Sequence, residues 1–159
     1  RIDNHQYQRD ETVNFGSMLR ELGEDLEERI EDKGLKLSIE IGQVFDFKGN
    51  RTLLHILFYN LLVNAIKYNK PNGNIVVKDD FLDGQYVLSF SDSGIGMDAE
   101  QLEKIFDRFT RLNFDQEGQG LGLAIAQSIA LFHQIRIAAS SNLGIGTVFC
   151  LYFPGQHDN

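Results

Sequence analysis

The sequence predicts an α+β protein built as a two-layer α/β sandwich, in which a mixed, mostly antiparallel sheet carries helices on one face. Three observations predict this fold class. Several segments repeat apolar residues at three-to-four spacing, as helices with one buried face do. Other segments alternate strictly, as half-buried strands do, and short turn signals join neighbouring strands into hairpins. The resulting order is helix, strand, helix, hairpin, helix, loop, helix, hairpin.

The first half of the chain is predicted to contain two helices and one strand. A helix that begins near Asn14 or Ser17 repeats apolar residues every three or four positions and ends at Gly34, a residue type suited to a helix C-terminus. Residues 35–41 alternate strictly and indicate a strand with one buried face. Residues 51–69 are strongly apolar and form a helix that ends before a proline-containing turn.

The second half is predicted to add two hairpins and two helices. Strands at 74–82 and 85–91 meet at Asp83-Gly84, a dipeptide typical of hairpin turns. Asp98 caps a short helix over residues 98–109. The remaining segments are a polar loop at 110–119, a helix at 121–132, and strands at 135–140 and 147–153 around a glycine turn at 144–146.

Charge and composition exclude several classes of protein. The net charge of −8 argues against nucleic acid or an anionic membrane surface as a main partner. The single cysteine, Cys150, excludes an intramolecular disulfide framework and a thiolate metal cluster, and it suits a reducing cytosol. No signal peptide is visible, and no run approaches the roughly 18 apolar residues of a transmembrane helix. We therefore expect a cytoplasmic domain, and because it opens on Arg1 we expect a fragment of a longer protein that could carry a membrane anchor elsewhere.

The helix at 51–69 carries the first candidate ligand-binding residues. Asn60, Asn64, Lys67 and Tyr68 fall on one stripe of it, and the opposite stripe is wholly apolar. A carboxamide oxygen is a competent Mg²⁺ ligand, an ammonium group can reach a phosphate, and a phenol ring can stack on a base. The alternative is that the two amides are ordinary surface or capping groups. The stripe predicts one polar wall of a pocket.

A glycine cluster follows the first predicted hairpin. Asp92 comes at the end of a strand and precedes Gly94 and Gly96. A carboxylate in that place can accept a hydrogen bond from an exocyclic amine such as that of adenine, and the glycines keep side chains away from the base. The alternative is a plain Asp-Gly turn.

A second glycine cluster leads into the helix at 121–132. The free N–H groups and the dipole of a helix that follows Gly118, Gly120 and Gly122 favour a phosphate. The spacing is not that of the Rossmann fingerprint or of a Walker loop. Arg108 and Arg111 are the only cations near the loop, so one of them is predicted to contact a terminal phosphate. With the polar stripe, these clusters predict a nucleotide pocket.

Taken in order, these motifs resemble the catalytic, ATP-binding domain of bacterial sensor histidine kinases, which shares the Bergerat fold with gyrase, MutL and the heat-shock chaperone ATPases. The family's N box is matched by residues 60–68, its F box by residues 105–109, and its three glycine boxes by residues 92–96, 118–123 and 144–149.

The resemblance implies ATP and Mg²⁺ as ligands. Asn64 would bind Mg²⁺, Asn60 would support the metal and the phosphates, and residues 110–119 would form the ATP lid. Thr147 would help close the adenine side, and Arg111 is the preferred partner of the γ-phosphate. The implied catalytic residues are Asn60, Lys67 and Arg111. The implied nucleotide-binding residues are Asn60, Asn64, Lys67, Tyr68, Asp92, Gly94, Gly96, Arg108, Arg111, Gly118, Gly120, Leu121, Gly122 and Thr147.

The amide at position 60 favours phosphotransfer over hydrolysis. ATPases of this fold place a Glu where this chain has Asn60, and an amide cannot take a proton from water. The acceptor must then bring its own nucleophile, as a histidine does. His5, His133 and His157 lack the acidic residue that follows the acceptor in the family, and His55 lies within an apolar helix. The acceptor is therefore expected upstream, outside this chain.

We expect a monomer with two protein partners, which are an upstream dimerisation and histidine phosphotransfer domain of the same protein and the receiver domain of a response regulator. No nucleic acid and no direct membrane contact are expected. Residues 12–154 would form the domain, residues 1–11 a tail or the end of a preceding dimerisation helix, and residues 155–159 a tail. Three alternatives stay open, namely an anti-sigma-factor-type serine kinase, a non-catalytic nucleotide-sensing module and a water-activating ATPase.

Overall fold

The computed structural model describes the backbone of residues 7–110 and 119–155, and the side chains of residues 7–105 and 122–155. The strands are β1 (Glu11–Val13), β2 (Lys36–Glu40), β3 (Phe47–Gly49), β4 (Asn74–Leu82), β5 (Gln85–Asp92), β6 (Arg136–Asn142) and β7 (Gly146–Tyr152). The helices are α1 (Phe15–Asp25), α2 (Glu27–Asp32), α3 (Arg51–Lys67), α4 (Ala99–Thr110) and α5 (Gln119–Phe132).

The main sheet confirms the predicted fold class. Its strands are ordered β2-β4-β5-β7-β6, with β2 and β4 parallel and every other neighbouring pair antiparallel. Val77 of β4, Leu88 of β5 and Phe149 of β7 are buried in the core with the helices, whereas Lys78, the residue after Val77 on β4, is exposed. One face of the sheet therefore carries the core, as alternation predicts.

A second sheet was not predicted from the sequence. Strand β1 pairs antiparallel with β3, and Val13 lies opposite Phe47. Each strand has three residues, too few for alternation to show. The predicted tail at 1–11 thus ends inside a strand, and the carbonyl of Gln8 accepts a hydrogen bond from Asn50 Nδ2 at 3.0 Å.

The first predicted helix is interrupted. Asn14 caps α1, because its Oδ1 accepts from the N–H of Ser17 at 2.9 Å. Leu26, at φ −98° and ψ 6°, separates α1 from α2, and α2 ends before Gly34, whose φ is +69°. The side chains of Leu26 and Ile30 are both buried, so the apolar spacing runs across the break. Periodicity alone could not reveal it.

The other predicted helices and strands are confirmed with small shifts at their ends, and residues 111–118 of the predicted polar loop lie outside the described residues. Asp83 and Gly84 both have positive φ, which gives the β4–β5 hairpin the twist of a type I′ turn. Asp98 Oδ1 accepts from Gln101 N at 2.8 Å and Gln101 Oε1 accepts from Asp98 N at 3.0 Å, so α4 begins in a reciprocal capping box. Helix α3 ends at Lys67, two positions before the predicted end at 69.

Helices α3 and α5 form an antiparallel pair whose relative position is defined by a hydrogen bond at one place and a close approach at another. The N–H of Asn50, the residue that caps α3, donates to His133 Nε2 at 2.9 Å just after α5. Further along α3, a Cβ added at Gly122 in α5 would lie 3.4 Å from Asn60 Oδ1. Asn60 follows Asn50 by ten residues and His133 follows Gly122 by eleven, and these intervals correspond to about 15 and 17 Å of helix. The polar stripe of α3 is therefore held beside the first turn of α5.

His133 is a structural residue of this pair. Its side chain is 1% exposed, Nε2 accepts from Asn50, and Nδ1 lies 2.9 Å from the carbonyl oxygen of Ile129, to which it donates in the neutral ring. Burial lowers its pKa below the ordinary 6.5; the bond to Ile129 opposes that shift and the nearby Arg9 adds to it. A protonated ring would place an N–H against the N–H of Asn50.

No helix among the described residues combines the length and the apolar character that crossing a bilayer requires.

The pKa of His133 predicts a pH dependence of folding. Because the folded protein binds this proton more weakly than the unfolded chain, the stability that neutral His133 provides is complete above pH 6.5 and is lost as the pH falls below it. Urea unfolding between pH 7.5 and 5 should show a loss approaching about 1.4 kcal/mol per pH unit that His133→Gln lacks. His55→Gln, at a half-buried site on α3, should keep it. Parallel profiles for wild type and His133→Gln would contradict this assignment.

Candidate nucleotide-binding site

A cavity of about 290 Å³ opens between α3, α4, β7 and the loop that follows β5. This volume is close to the roughly 300 Å³ at which small-molecule sites begin. Its lining residues are Asn64, Tyr68, Ile95, Gly96, Met97, Gln101, Lys104, Ile105, Leu123, Thr147 and Phe149. Four residues that the sequence predicts as ligand contacts are among them, namely Asn64, Tyr68, Gly96 and Thr147. Thus the N box and the first and third glycine boxes meet at one cavity.

Asp92 lies directly behind the Thr147 wall of the cavity. It is the last residue of β5 and pairs in register with Thr147 of β7. Its Oδ1 accepts from Gly94 N at 2.9 Å and from Thr147 N at 3.3 Å. Both hydrogen bonds found for this carboxylate among the described residues end on Oδ1, so Oδ2 is the oxygen that can accept from a ligand. Burial raises the pKa of Asp92 above 3.8, and the two N–H donors oppose that shift.

The glycines near Asp92 allow backbone segments to approach each other. A Cβ at Gly94 would collide with the carbonyl oxygen of Tyr68, and one at Gly96, where φ is +69°, would collide with that of Asn142. The N–H of Ile95 between them donates to Tyr68 O at 3.2 Å. Gly96 lines the cavity, whereas Gly94 does not. Gly94 therefore lets the loop approach the end of α3, and its predicted contact with the base stays a prediction.

A hydroxyl network fixes Thr147. Ser141 Oγ donates to Gly146 O at 3.0 Å and accepts from Met97 N at 2.8 Å. Because the single proton of Ser141 is used, the Thr147 hydroxyl, 2.8 Å from Ser141 Oγ, must donate to it. The lone pairs of the Thr147 oxygen then remain available on the cavity side. The network also ties the start of α4 to the β6–β7 hairpin.

Only two of the four side chains on the polar stripe of α3 line the cavity, namely those of Asn64 and Tyr68. Asn64 lines the cavity, and Asn60 lies beside Gly122 on the α5 side. Lys67 is exposed and outside the lining, with Nζ 5.5 Å from the centre of the Tyr68 ring. The end of α3 is capped by Lys33, whose Nζ donates to the carbonyl oxygens of Ile66 and Lys67 at 3.0 and 2.9 Å.

The donor set at this stripe suits Mg²⁺. The ion keeps several waters and takes one or two protein oxygens together with phosphate oxygens, and Asn64 offers such an oxygen in the cavity. Within the described residues, no group of three or more His, Cys, Asp or Glu side chains could form an all-protein metal site. The residues present fit a metal that arrives with a polyphosphate.

Several predicted contacts fall where side chains are not described. Arg111 and Gly118 lie outside the described residues, and Arg108 and Leu121 are described only as backbone positions in α4 and α5. Helix α5 begins at Gln119, two positions before the predicted start, so Gly120 and Gly122 belong to its first turn. The backbone N–H of Gly120, the second residue of the helix, is among those that a helix leaves unpaired at its N-terminus.

Sequence reasoning missed the wall that α4 contributes. Met97, Gln101, Lys104 and Ile105 all line the cavity. Gln101, Lys104 and Ile105 are spaced by three and four residues and so share one face of α4, and Met97 lies just before the helix begins. That spacing was visible in the sequence, but only residues 105–109 were singled out there. Ser141 left no comparable signal, because its role depends on the β6–β7 register.

Residues 49–157 match the family of histidine kinase-, DNA gyrase B- and HSP90-like ATPases. The sensor histidine kinase RppB of Synechocystis sp. is 34% identical over 146 residues, which are 86% of this chain and 32% of RppB. The signal transduction histidine-protein kinase BaeS of Escherichia coli is 33% identical over 150 residues, which are 92% of this chain and 32% of BaeS. The chain thus spans about a third of the length of these relatives.

Solved structures of histidine kinases share the fold. The catalytic domain of histidine kinase ThkA superimposes with a TM-score of 0.78 at 25% identity, over 92% of this chain and 96% of that domain. ThkA in complex with the response regulator protein TrrA matches with a TM-score of 0.73 at 24% identity, over 92% of this chain and 42% of ThkA. The predicted resemblance is confirmed, and this chain belongs to the family of histidine kinase-, DNA gyrase B- and HSP90-like ATPases.

Proposed function

We propose that this chain is the catalytic domain of a sensor histidine kinase, which binds Mg²⁺·ATP in the cavity between α3 and α4 and transfers the γ-phosphoryl group to a histidine on an upstream dimerisation domain. The observation that carries the proposal is the pairing of two groups at one cavity. Asn64 lines it, and Asp92, although not a lining residue itself, accepts from the N–H of the lining residue Thr147 and keeps Oδ2 free of donors from the described residues.

Adenine would occupy the end of the cavity near Asp92. The Oδ2 atom of Asp92 would accept from the exocyclic amine, and the oxygen of Thr147 offers a second acceptor nearby. Ile95, Phe149 and Tyr68 supply apolar and aromatic surface for the ring. A base that presents a carbonyl oxygen in place of the amine would leave Asp92 facing an acceptor, so this end favours adenine over guanine.

The phosphates would lie toward Asn60, Asn64 and the first turn of α5. Asn64 would hold Mg²⁺, with Asn60 in support. When bound, the ion would neutralise charge on the phosphate oxygens. The unpaired N–H groups at the start of α5 would donate to a phosphate. Lys67, Arg108 and Arg111 remain proposed phosphate contacts, with Arg111 at the γ-phosphate.

The site favours transfer to a nucleophile over hydrolysis. No carboxylate is among the described residues that line the cavity, Asn60 is an amide, and Asp92 is assigned to the base, so no described side chain at the phosphate end can take a proton from water. An imidazole nitrogen needs no such help, since its lone pair is already available. It would bond to the γ-phosphorus while the bond to the bridging oxygen breaks and ADP leaves.

The acceptor histidine would belong to a partner domain. Both ring nitrogens of His133 are engaged and its side chain is buried, so it cannot receive a phosphoryl group without unfolding that site. His5 and His157 lie outside the described residues. The names of RppB and BaeS support a sensor kinase, and the ThkA–TrrA complex supports a response regulator as the next partner. We propose that the domain acts in the cytosol.

The Asp92 assignment predicts a loss of ATP binding in Asp92→Asn. One oxygen of the amide can still accept from Gly94, but an NH₂ group would then face the adenine amine. Calorimetry should show affinity for Mg²⁺·ATP reduced by at least about tenfold, as expected for a lost hydrogen bond to a charged group. Asp83→Asn is the matched control, because it removes a carboxylate at the opposite end of β5 where positive φ suits Asn. Equal affinities for the two variants would contradict the assignment.

The raised pKa of Asp92 adds a pH dependence to this prediction. A protonated Oδ2 donates where it should accept, so the affinity of wild type for ATP should fall as the pH decreases through the acid range. Because the pKa lies above 3.8, the loss should begin at higher pH than for an ordinary aspartate. The profile of Asp92→Asn reports the titration of the ligand alone. Identical profiles would remove Asp92 from the site.

Phosphotransfer tests the function as a whole. The chain mixed with Mg²⁺, γ-labelled ATP and the histidine-containing upstream segment of its protein should produce acid-labile phosphohistidine on that segment. Asn64→Ala should reduce the rate by at least about tenfold, the scale seen when a metal site is disturbed. Gln43→Ala, which removes an exposed amide away from the cavity, should leave it unchanged. Steady ATP hydrolysis by the chain alone, lost in Asn60→Ala, would instead identify a water-activating ATPase.

A further inference from the structure

The cavity has one charged side chain among the described residues that line it. That side chain is Lys104 of α4, and the other lining residues are apolar, aromatic, amide, hydroxyl or glycine. A protein of net charge −8 repels a polyphosphate at long range, so a cation at the wall of the cavity has an electrostatic consequence for such a ligand. The sequence motifs of the nucleotide site do not include this lysine.

The position of Lys104 along α4 separates it from the end of the cavity at Asp92. Met97 is tied to that end through the hydrogen bond from its N–H to Ser141 Oγ, and Ser141 in turn holds Thr147. Helix α4 begins two residues after Met97, and Lys104 lies five residues, or about 8 Å of helix, beyond its first residue, Ala99. Its neighbour Ile105 lines the cavity together with Leu123 from the first half of α5. The lysine therefore lies toward the α5 end of the site.

The ammonium group of Lys104 is available for a ligand. Nζ lies 3.5 Å from Glu100 Oε1, and the two side chains are 69% and 79% exposed. An exposed ion pair one helical turn apart contributes little stability, so redirecting this group costs little. Position 108 follows Lys104 by one turn on the same face of α4, and it carries Arg108, which the sequence predicts as a phosphate contact.

We propose that Lys104 binds the phosphate groups of the nucleotide and raises affinity for ATP over unphosphorylated adenosine. This inference rests on the proposed function of the cavity. Lys104 acts as a point charge with three donors, which suits oxygens whose position varies between the diphosphate and the triphosphate. Because the group is exposed, its contribution is moderate and is screened by salt.

Calorimetry with Mg²⁺·ATP and with adenosine tests this role. Lys104→Gln should bind Mg²⁺·ATP about three- to tenfold more weakly than wild type and adenosine equally well, since only ATP carries the charge that is recognised. Lys104→Arg keeps the cation and should retain most of the affinity for ATP. The loss in Lys104→Gln should shrink as the salt concentration rises. Lys78→Gln, at an exposed site on β4, changes the net charge equally and should have no effect on binding.

Two outcomes would overturn the inference while the proposed function stands. If Lys104→Gln matches Lys78→Gln with ATP, Lys104 is a solvated surface residue. If Lys104→Gln loses ATP and adenosine equally, the side chain supports the base or the shape of the cavity. Failure of wild type to bind either ligand would overturn the proposed function together with the inference. Unchanged circular dichroism and thermal unfolding of each variant would show that α4 is intact.

Discussion

One oxygen atom of Asp92 holds together the base end of the site. Oδ1 accepts from the N–H of Gly94, in the loop after β5, and from the N–H of Thr147, at the start of β7. Through Ser141 the same arrangement reaches Met97 at the start of α4. A half-buried carboxylate held in this way keeps its second oxygen in a fixed place. We propose that recognition of the adenine amine depends on that fixed oxygen.

The phosphate end depends on a different constraint, the antiparallel pair of α3 and α5. The bond from Asn50 N to His133 Nε2 fixes the pair at one end, and Asn60 meets Gly122 at the other. Helices packed over such a length do not slide easily past each other, because their side chains interdigitate. In the proposed site, backbone pairing would position the base and helix packing would position the metal and phosphates. The cavity lies where the two systems meet.

The sequence was sufficient for elements that carry a strong local signal. Residues 74–91 are recognised as a hairpin because alternation and the Asp83-Gly84 turn agree, and the polar stripe of α3 was visible because its opposite stripe is apolar. The sequence motifs alone also predicted that Asn64, Tyr68, Gly96 and Thr147 belong to one site, since each type of residue suits one part of a nucleotide. Five ordered motifs carry more information than any one glycine cluster.

The features that could not be predicted from the sequence depend on contacts between residues that are distant in the chain. Strands β1 and β3 are too short for a period, and they pair across more than thirty residues of chain. Gly94 looked like a gap left for the base, whereas it allows the loop to contact the carbonyl of Tyr68. Lys104 carried no signal in the sequence analysis, and only the fold brings it to the cavity. Each of these depends on neighbours that are distant in the chain.

A crystal structure with Mg²⁺ and a non-hydrolysable ATP analogue tests the central claim most directly. The account predicts Asp92 Oδ2 about 2.7–3.2 Å from the exocyclic nitrogen of adenine, and Asn64 Oδ1 about 2.0–2.1 Å from the metal. One analogue would then connect the end of β5 to the polar stripe of α3. An analogue bound with its base away from Asp92, or with a metal that Asn64 does not touch, would contradict it.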